Sequence, residues 1–358
     1  MRYDSSRRTV VGMRAASPTS RAVRRRPRHR RRGLRLLLGV LGALALAVAA
    51  CGEDAPAPAD GGDAAQSGGS GGDAGDGGEP SIVVTVNLLG SIVDLALGDV
   101  ADVEWLMPPA SDPHNFEVSP REAERLFDAD LVVANGYDVE ESLAPVLASA
   151  REDGVPVVEI APELDPLPYS EVATDEEEGE PDPHVWTDVD RMSRVPGMVA
   201  EALLDEVGGL DEDAVRAAAA EATAELEDLD TWVAEKIDSL PEDRRYIVTN
   251  HHSFGYFADR YGMEVLGVVV PTGAALASPS AADLADLNDA LAETGVPAIF
   301  IDTSKPADLA DALASERDEP VELVELWAES LGPEGSGAET YVEVVEYNVE
   351  RIVESLQP

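Results

Sequence analysis

The feature that most constrains the fold is an alternation, from Ser81 onward, of short apolar runs with stretches of helical periodicity. Apolar runs of this length are typical of buried strands. Strands that alternate with helices favour a parallel sheet covered by helices, because parallel strands need long crossover connections. The pattern predicts strands at residues 82–86, 103–107, 131–134 and 156–160, with helices at 88–97 and 120–128.

The same alternation returns in the last third of the chain and predicts a second α/β lobe. Between the lobes, apolar residues recur at steps of three and four around Leu203 and Leu229, which indicates two long amphipathic helices. Pro196 and Gly197 interrupt the first of these, so we expect a kink or a delayed helix start there. The predicted strands of the second lobe are 246–249, 264–269, 298–301 and 321–326, and its predicted helices are 254–260, 281–293, 307–316 and 340–356.

The expected fold class is therefore α/β, with two parallel-sheet lobes joined by a long helix and a cleft between them. The strands and helices divide the folded part of the chain into three regions. These are an N-terminal lobe over 81–187, a joining helical region over 188–240 and a C-terminal lobe over 241–358.

Charge is distributed unevenly along the chain. The 358 residues carry a formal net charge of −45, but 13 of the 26 basic residues lie in the first 50 positions. From Cys51 onward 13 basic residues face 70 acidic ones, a net charge of −57. Such a surface repels nucleic acid, which is therefore not an expected partner. The apolar fraction of 44% is too high for a disordered acidic chain, so we expect a globular protein, and a monomer.

The first 50 residues have the layout of a secretory signal. An arginine-rich run at 21–35 precedes an apolar stretch at 36–50 that is short for a transmembrane helix. Val48-Ala49-Ala50-Cys51 resembles a bacterial lipobox, which implies cleavage before Cys51 and its lipidation. Cys51 is the only cysteine, so no internal disulfide is expected. Residues 51–80 are predicted to be the lipidated cysteine and a disordered tether, because their Gly, Ala, Asp, Ser and Pro cannot form a core.

Histidine is scarce, and its positions suggest metal binding. Of the five histidines, His29 lies in the signal and the other four lie at the ends of predicted elements. Ligands collect at the carboxyl ends of parallel strands, so these positions can converge on one cleft. Neutral imidazole is the usual ligand of zinc and related metals, and a neighbouring aspartate can fix each ring. The three segments are Asp112-Pro113-His114-Asn115-Phe116, Asp182-Pro183-His184-Val185-Trp186 and Asn250-His251-His252-Ser253-Phe254.

These segments make the chain, over about residues 81–358, resemble the substrate-binding lipoproteins of zinc and manganese ABC transporters, the periplasmic zinc-binding and streptococcal adhesin-type proteins. The most specific match is Asp182-Pro183-His184-Val185-Trp186. The resemblance implies two α/β lobes joined by a long helix, with a metal between them. It also implies delivery of that metal to a membrane permease driven by an ATPase, from a protein anchored by its lipid to the outer face of the cytoplasmic membrane.

The resemblance implies four ligands in this sequence. His114, His184 and His251 take the first three positions, and Glu329 takes the fourth. The family usually has Asp at the fourth position, so this chain differs by one methylene, and the alternative for Glu329 is an ordinary surface acid. His252 replaces a residue that is not a ligand in the family, and adjacent strand residues point to opposite sides. We therefore expect His252 at a helix start or on the surface, or hydrogen-bonded beside the ligands.

Other candidate residues have less specific interpretations. The acidic stretch 175–180 precedes His184 without any histidine of its own, which is typical of a solvated loop. Asp302 ends a predicted strand, where it can face the cleft or cap a helix, and capping is the favoured expectation. Four aromatic residues near the histidines are expected to pack around the site: Trp186, Phe254, Tyr256 and Phe257.

Three functions compete. Capture of zinc outside the cell is favoured, because three imidazoles and one carboxylate match tetrahedral zinc, whereas manganese, the runner-up, prefers more oxygen ligands. A zinc hydrolase would need an open ligand position, and no His-Glu-x-x-His helix or Gly-x-Ser-x-Gly elbow is present, so we expect no enzyme. The third function is a surface adhesin with the same architecture and a role in cell adhesion.

Overall fold

A computed structural model describes residues 79–169, 179–270, 281–305, 307–316 and 321–357. The predicted signal, Cys51, nearly all of the tether and most of the acidic loop, including Asp175, lie outside these ranges. Among the described helices, none is both long and apolar enough to cross a membrane.

The first lobe contains a four-stranded parallel sheet of order β2-β1-β3-β4. Its strands are β1 (Ser81–Val84), β2 (Asp102–Trp105), β3 (Leu131–Ala134) and β4 (Val157–Glu159). All four residues of β3 are buried, as expected for a parallel strand covered on both faces. The lobe's helices are α1 (Asn87–Leu97), α2 (Pro120–Asp128) and α3 (Ala144–Glu152).

The second lobe repeats this topology with a parallel sheet of order β6-β5-β7-β8. Its strands are β5 (Tyr246–His251), β6 (Glu264–Val270), β7 (Ala298–Asp302) and β8 (Glu322–Leu326). Its helices are α7 (Gly255–Tyr261), α8 (Ala281–Thr294), α9 (Asp308–Glu316) and α10 (Tyr341–Leu356). The α/β fold class with two parallel sheets is thus confirmed.

Three helices join the lobes: α4 (Val189–Met192), α5 (Val195–Glu206) and α6 (Glu212–Asp238). Helix α5 begins at Val195, with Pro196 in its first turn, so the predicted interruption is a delayed start. Helix α6 is 27 residues long, begins at the N-cap Asp211 and packs against α1 of the first lobe and α10 of the second. It therefore links the two sheets.

Local sequence explains where several elements begin. Ser119 and Glu122 form a capping box at the start of α2, and Thr340 and Glu343 form another at the start of α10. Helix α3 was missed by the sequence prediction because few of its residues face the core: only Leu147 and Ala150 are buried.

Candidate metal centre

His114 lies on the connection between β2 and α2, in a turn held by Asp112. The backbone N–H of His114 donates to Asp112 Oδ1 over 3.0 Å, and Asn115 Nδ2 donates to Asp112 Oδ2 over 2.6 Å. An aspartate that accepts from the N–H two residues later stabilises a tight turn. The His114 side chain is 14% exposed.

His184 ends a second Asp-Pro-His segment, in which the aspartate holds the ring of the histidine as well as its backbone. Asp182 Oδ1 accepts from the backbone N–H of His184 over 2.9 Å and lies 2.7 Å from ring Nδ1. This leaves Nε2 to face the site. Tyr256 Oη donates to the carbonyl of Asp182 over 2.7 Å and accepts from the N–H of Leu167 over 3.1 Å, which fixes the segment from the second lobe.

His251 is the last residue of β5, so the sheet positions it directly. Its carbonyl accepts from Thr249 Oγ1 over 2.7 Å and from the Ser253 N–H over 3.0 Å. Its Nε2 lies 3.3 Å from His184 Nε2. The ring of His252 instead packs against Tyr169, with 5.1 Å between ring centroids. Of the alternatives for His252, the surface position is wrong, because the residue is buried; it lies just before the start of α7.

Glu329 follows β8 and is fully buried rather than a surface acid. Its Oε1 lies 3.4 Å from His114 Nε2, 3.2 Å from His184 Nε2 and 2.6 Å from His251 Nε2. Neither of its oxygens accepts a well-formed hydrogen bond within the described part of the chain, although Oε2 forms an ion pair with Lys305. Oε1 is therefore the oxygen left without a partner of its own among the ring nitrogens, and a cation bound there would satisfy it.

The segment that carries Glu329 is tied to the first lobe by hydrogen bonds that the sequence did not predict. Asn87, at the start of α1, donates to Ser330 Oγ and accepts from the Leu331 N–H, both over 2.9 Å. Trp186 Nε1 donates to the carbonyl of Ala328 over 2.8 Å. Contacts on both sides of Glu329 therefore hold it against the first lobe.

The four predicted ligand side chains come together at one point between the lobes. One nitrogen or oxygen atom from each of His114, His184, His251 and Glu329 lies within 4.8 Å of all the others. Ligand atoms about 2.0–2.1 Å from a tetrahedral zinc ion are separated by about 3.3 Å from one another. The measured separations between 3.2 and 3.4 Å match that spacing, and the contact between His251 and Glu329 is shorter.

Burial and neighbouring charges set the protonation of the metal-free cluster. Burial alone would lower the pKa of His184, but Asp182 and Glu329 raise it to about 9. Burial lowers the pKa of His251 to about 4, although Glu329 acts in the opposite direction. Burial would raise the pKa of Glu329, but His251, His114 and Lys305 hold it well below its usual value. The cluster therefore contains an ionised carboxylate, a neutral imidazole and a protonated one near neutral pH.

The remaining candidates are resolved as follows. Asp302 does not cap α9, which begins at Asp308; its Oδ1 accepts from the Ser304 N–H over 2.7 Å and stabilises a turn. Burial, followed by the charge of Glu329, raises the pKa of Asp302 to about 7. The aromatic residues predicted to pack near the histidines are all buried: Trp186, Phe254, Tyr256 and Phe257.

Comparison with known proteins finds similarity to metal-binding proteins. The family model described as "Zinc-uptake complex component A periplasmic" matches residues 82–355. Zinc-binding protein TroA of Treponema pallidum is 34% identical over 284 residues, covering 78% of this chain and 89% of that protein. Manganese-binding lipoprotein MntA of Halalkalibacterium halodurans is 28% identical over 279 residues, covering 77% and 88%. The solved structure of periplasmic zinc-binding protein TroA from Treponema pallidum matches with a TM-score of 0.69 at 31% identity, covering 78% of this chain and all of that one.

Fold and site together define a two-lobed protein with a buried metal site of three histidines and one glutamate. The chain belongs to the ZnuA family of substrate-binding lipoproteins of metal ABC transporters. Members of this family bind metal without catalysing a reaction, so the expectation that the protein is not an enzyme is confirmed. Family membership also implies an ABC permease as partner.

Proposed function

We propose that the protein captures zinc outside the cell and delivers it to the permease, with His114, His184, His251 and Glu329 as ligands. The observation that carries this proposal is the convergence of their four ligand atoms, with most separations close to those around tetrahedral zinc. The donor set agrees, because three imidazoles suit zinc better than manganese.

Manganese is the second candidate, because some relatives, such as MntA of Halalkalibacterium halodurans, are manganese-binding. Manganese favours carboxylate, carbonyl and water ligands in octahedral surroundings. The cluster supplies a single carboxylate, and one of its two oxygens is already paired with Lys305. Zinc therefore fits these side chains better.

The organisation of the chain follows from this role. We propose that residues 1–50 are a lipoprotein signal, that lipidated Cys51 anchors the protein to the outer face of the cytoplasmic membrane, and that 51–80 form the tether. The lobes at 81–187 and 241–358, joined by 188–240, act as a monomer that presents zinc to the permease and its ATPase.

Metal analysis of protein purified without chelators tests the proposal. We expect about one zinc ion per chain and displacement of bound manganese by zinc in a competition titration. His251→Ala should lose the ion. His252→Ala is the matched control, because it removes the adjacent imidazole, which is not a proposed ligand, and it should keep the ion. Manganese that remains bound in the presence of equimolar zinc would contradict the assignment of the metal. Equal retention of zinc by both variants would contradict the ligand set.

A further inference from the structure

Lysine occurs only twice in the sequence, at Lys236 and Lys305, and the two residues have different surroundings. Lys236 lies on α6 with its Nζ 5.1 Å from the centre of the Trp232 ring. Lys305 follows β7, and only 9% of its side chain is exposed. A buried ammonium in a chain with so few basic residues requires an explanation, because burial disfavours its charge.

Two carboxylates from different lobes compensate this charge. Lys305 Nζ lies 2.8 Å from Glu329 Oε2 and 2.7 Å from Asp112 Oδ1. Asp112 belongs to the turn that carries His114, and its Oδ1 also accepts from the His114 N–H. Lys305 thus contacts one group that is a proposed ligand and another that positions one.

The two oxygens of Glu329 consequently face different partners. Oε1 lies within 3.4 Å of the three imidazole nitrogens, whereas Oε2 faces the ammonium of Lys305. Binding of one ion by both oxygens would bring that ion beside Oε2, which lies 2.8 Å from the Lys305 ammonium, so the charge of Lys305 opposes this arrangement.

We propose that Lys305 is a specificity-determining residue that restricts Glu329 to one metal-bound oxygen and thereby favours zinc over manganese. This inference rests on the proposed ligand set. A carboxylate that gives one oxygen completes a four-coordinate site with the three imidazoles, which is the arrangement zinc favours. Manganese favours more oxygen ligands, and at this site it would not obtain the second oxygen of Glu329 as a ligand. The ammonium also repels every divalent cation alike, so selectivity, not affinity, is the quantity that reports on its role.

The test replaces each lysine by methionine, an unbranched side chain that is one atom shorter and carries no charge. We expect Lys305→Met to lower the ratio of zinc affinity to manganese affinity by about tenfold, measured by competition for the full exported chain. Lys236→Met is the matched control, and its ratio should equal that of the original protein. Cobalt(II) supplies a second measurement, because four-coordinate cobalt absorbs visible light much more strongly than five- or six-coordinate cobalt. Lys305→Met should weaken this absorption, and Lys236→Met should leave it unchanged.

The results separate this inference from the proposed function. An unchanged affinity ratio and an unchanged cobalt spectrum in Lys305→Met would overturn the role of Lys305, even if the protein binds zinc as proposed. If the original protein prefers manganese, the proposed metal is wrong, yet a fall of the ratio in Lys305→Met would still support the inference. If Lys305→Met does not fold, Lys305→Gln keeps a hydrogen-bond donor but is too short to reach both carboxylates. Lys305→Gln should show the same fall in the ratio of zinc affinity to manganese affinity. An unchanged ratio in this variant would overturn the proposal.

Discussion

The two Asp-Pro-His segments, Asp112-Pro113-His114 and Asp182-Pro183-His184, share one hydrogen bond between the aspartate and the backbone but hold their histidines differently. In both, the aspartate Oδ1 accepts from the backbone N–H of the histidine, over 3.0 and 2.9 Å. Asp182 also holds the ring of His184 through Nδ1, and His184 is fully buried. Asp112 instead pairs with Lys305, and His114 remains partly exposed.

This difference shows that the aspartate of the motif contacts the backbone in both segments, but contacts the histidine ring only in the second. A ring fixed by its own aspartate is ready to bind metal before the ion arrives, because its tautomer and orientation are already set. His114 depends on the Lys305 and Glu329 network of the second lobe for its surroundings. We therefore expect His184 to be the preorganised ligand and His114 to respond to the approach of the lobes.

The largest expected effect is the removal of a ligand from either segment. A zinc site worth about 10–16 kcal/mol, shared among four ligands, should lose roughly 100-fold or more in affinity when one imidazole is removed. We expect this for both His114→Ala and His184→Ala, measured by chelator competition. Circular dichroism should show a metal-free fold close to the original. Failure of either variant to fold without metal would assign that histidine a structural role.

A sharper comparison replaces the two aspartates. Asp182→Asn removes the carboxylate that fixes the His184 ring and should weaken zinc binding about 10- to 100-fold. Asp112→Asn keeps an oxygen that can accept from the His114 N–H, so its effect on zinc affinity should be smaller. Titrations of both variants under identical conditions measure the difference. Equal losses would mean that the ring contact of Asp182 does not distinguish the two segments.

The pH dependence of binding should report mainly on His184. Its pKa of about 9 in the metal-free protein means that it must lose a proton when metal binds at neutral pH. Below pH 9 this proton competes with zinc for His184, so zinc affinity should fall by about tenfold for each unit by which the pH is lowered. His251, with a pKa of about 4, should add no competition between pH 6 and 8. Calorimetry in buffers of different ionisation enthalpy should detect the released proton, and an affinity independent of pH from 6 to 8 would contradict this account.

The same shift affects the stability of the metal-free protein, with the sign set by the raised pKa. The contribution of His184 to folding is fully present below about pH 6.5 and is lost as pH rises through about 9. Thermal melting in the presence of a chelator should reveal this loss. His184→Ala is the control, and its melting temperature should lack the corresponding change over this range.

The smallest expected effect is that of removing the N-terminal part of the chain. A form that begins at Ser81 should bind zinc as well as the exported chain, because all four proposed ligands lie beyond it. Equilibrium titration of the two forms side by side checks this. A large loss of affinity would show that acidic residues of the tether take part in binding.

Most strands and helices could be predicted from the sequence, because buried parallel strands have continuous apolar runs. Residues 131–134 form a strand with the bounds that the pattern indicates, and β5 extends two residues beyond its prediction to His251. Helix α3 escaped detection because few of its residues are buried. Strand ends and Asp-Pro-His turns also brought the candidate histidines to the cleft in the expected way.

The contacts around the ligands could not be predicted, because they join residues far apart in the sequence. Asn87 contacts Ser330, and Asp112 contacts Lys305, in each case across about 200 positions or more. Nothing in the local sequence of Lys305 distinguishes it from a surface lysine; only the rarity of lysine in the chain marks it. The ring of His252 likewise contacts that of Tyr169, which lies on a distant segment.

The most direct test of the central claim is anomalous scattering at the zinc absorption edge from crystals of the zinc-loaded protein. The account predicts one zinc peak about 2.0–2.2 Å from Nε2 of the three histidines His114, His184 and His251 and from a single oxygen of Glu329. A peak bound by His252, or by both oxygens of Glu329 with Lys305 displaced, would contradict it.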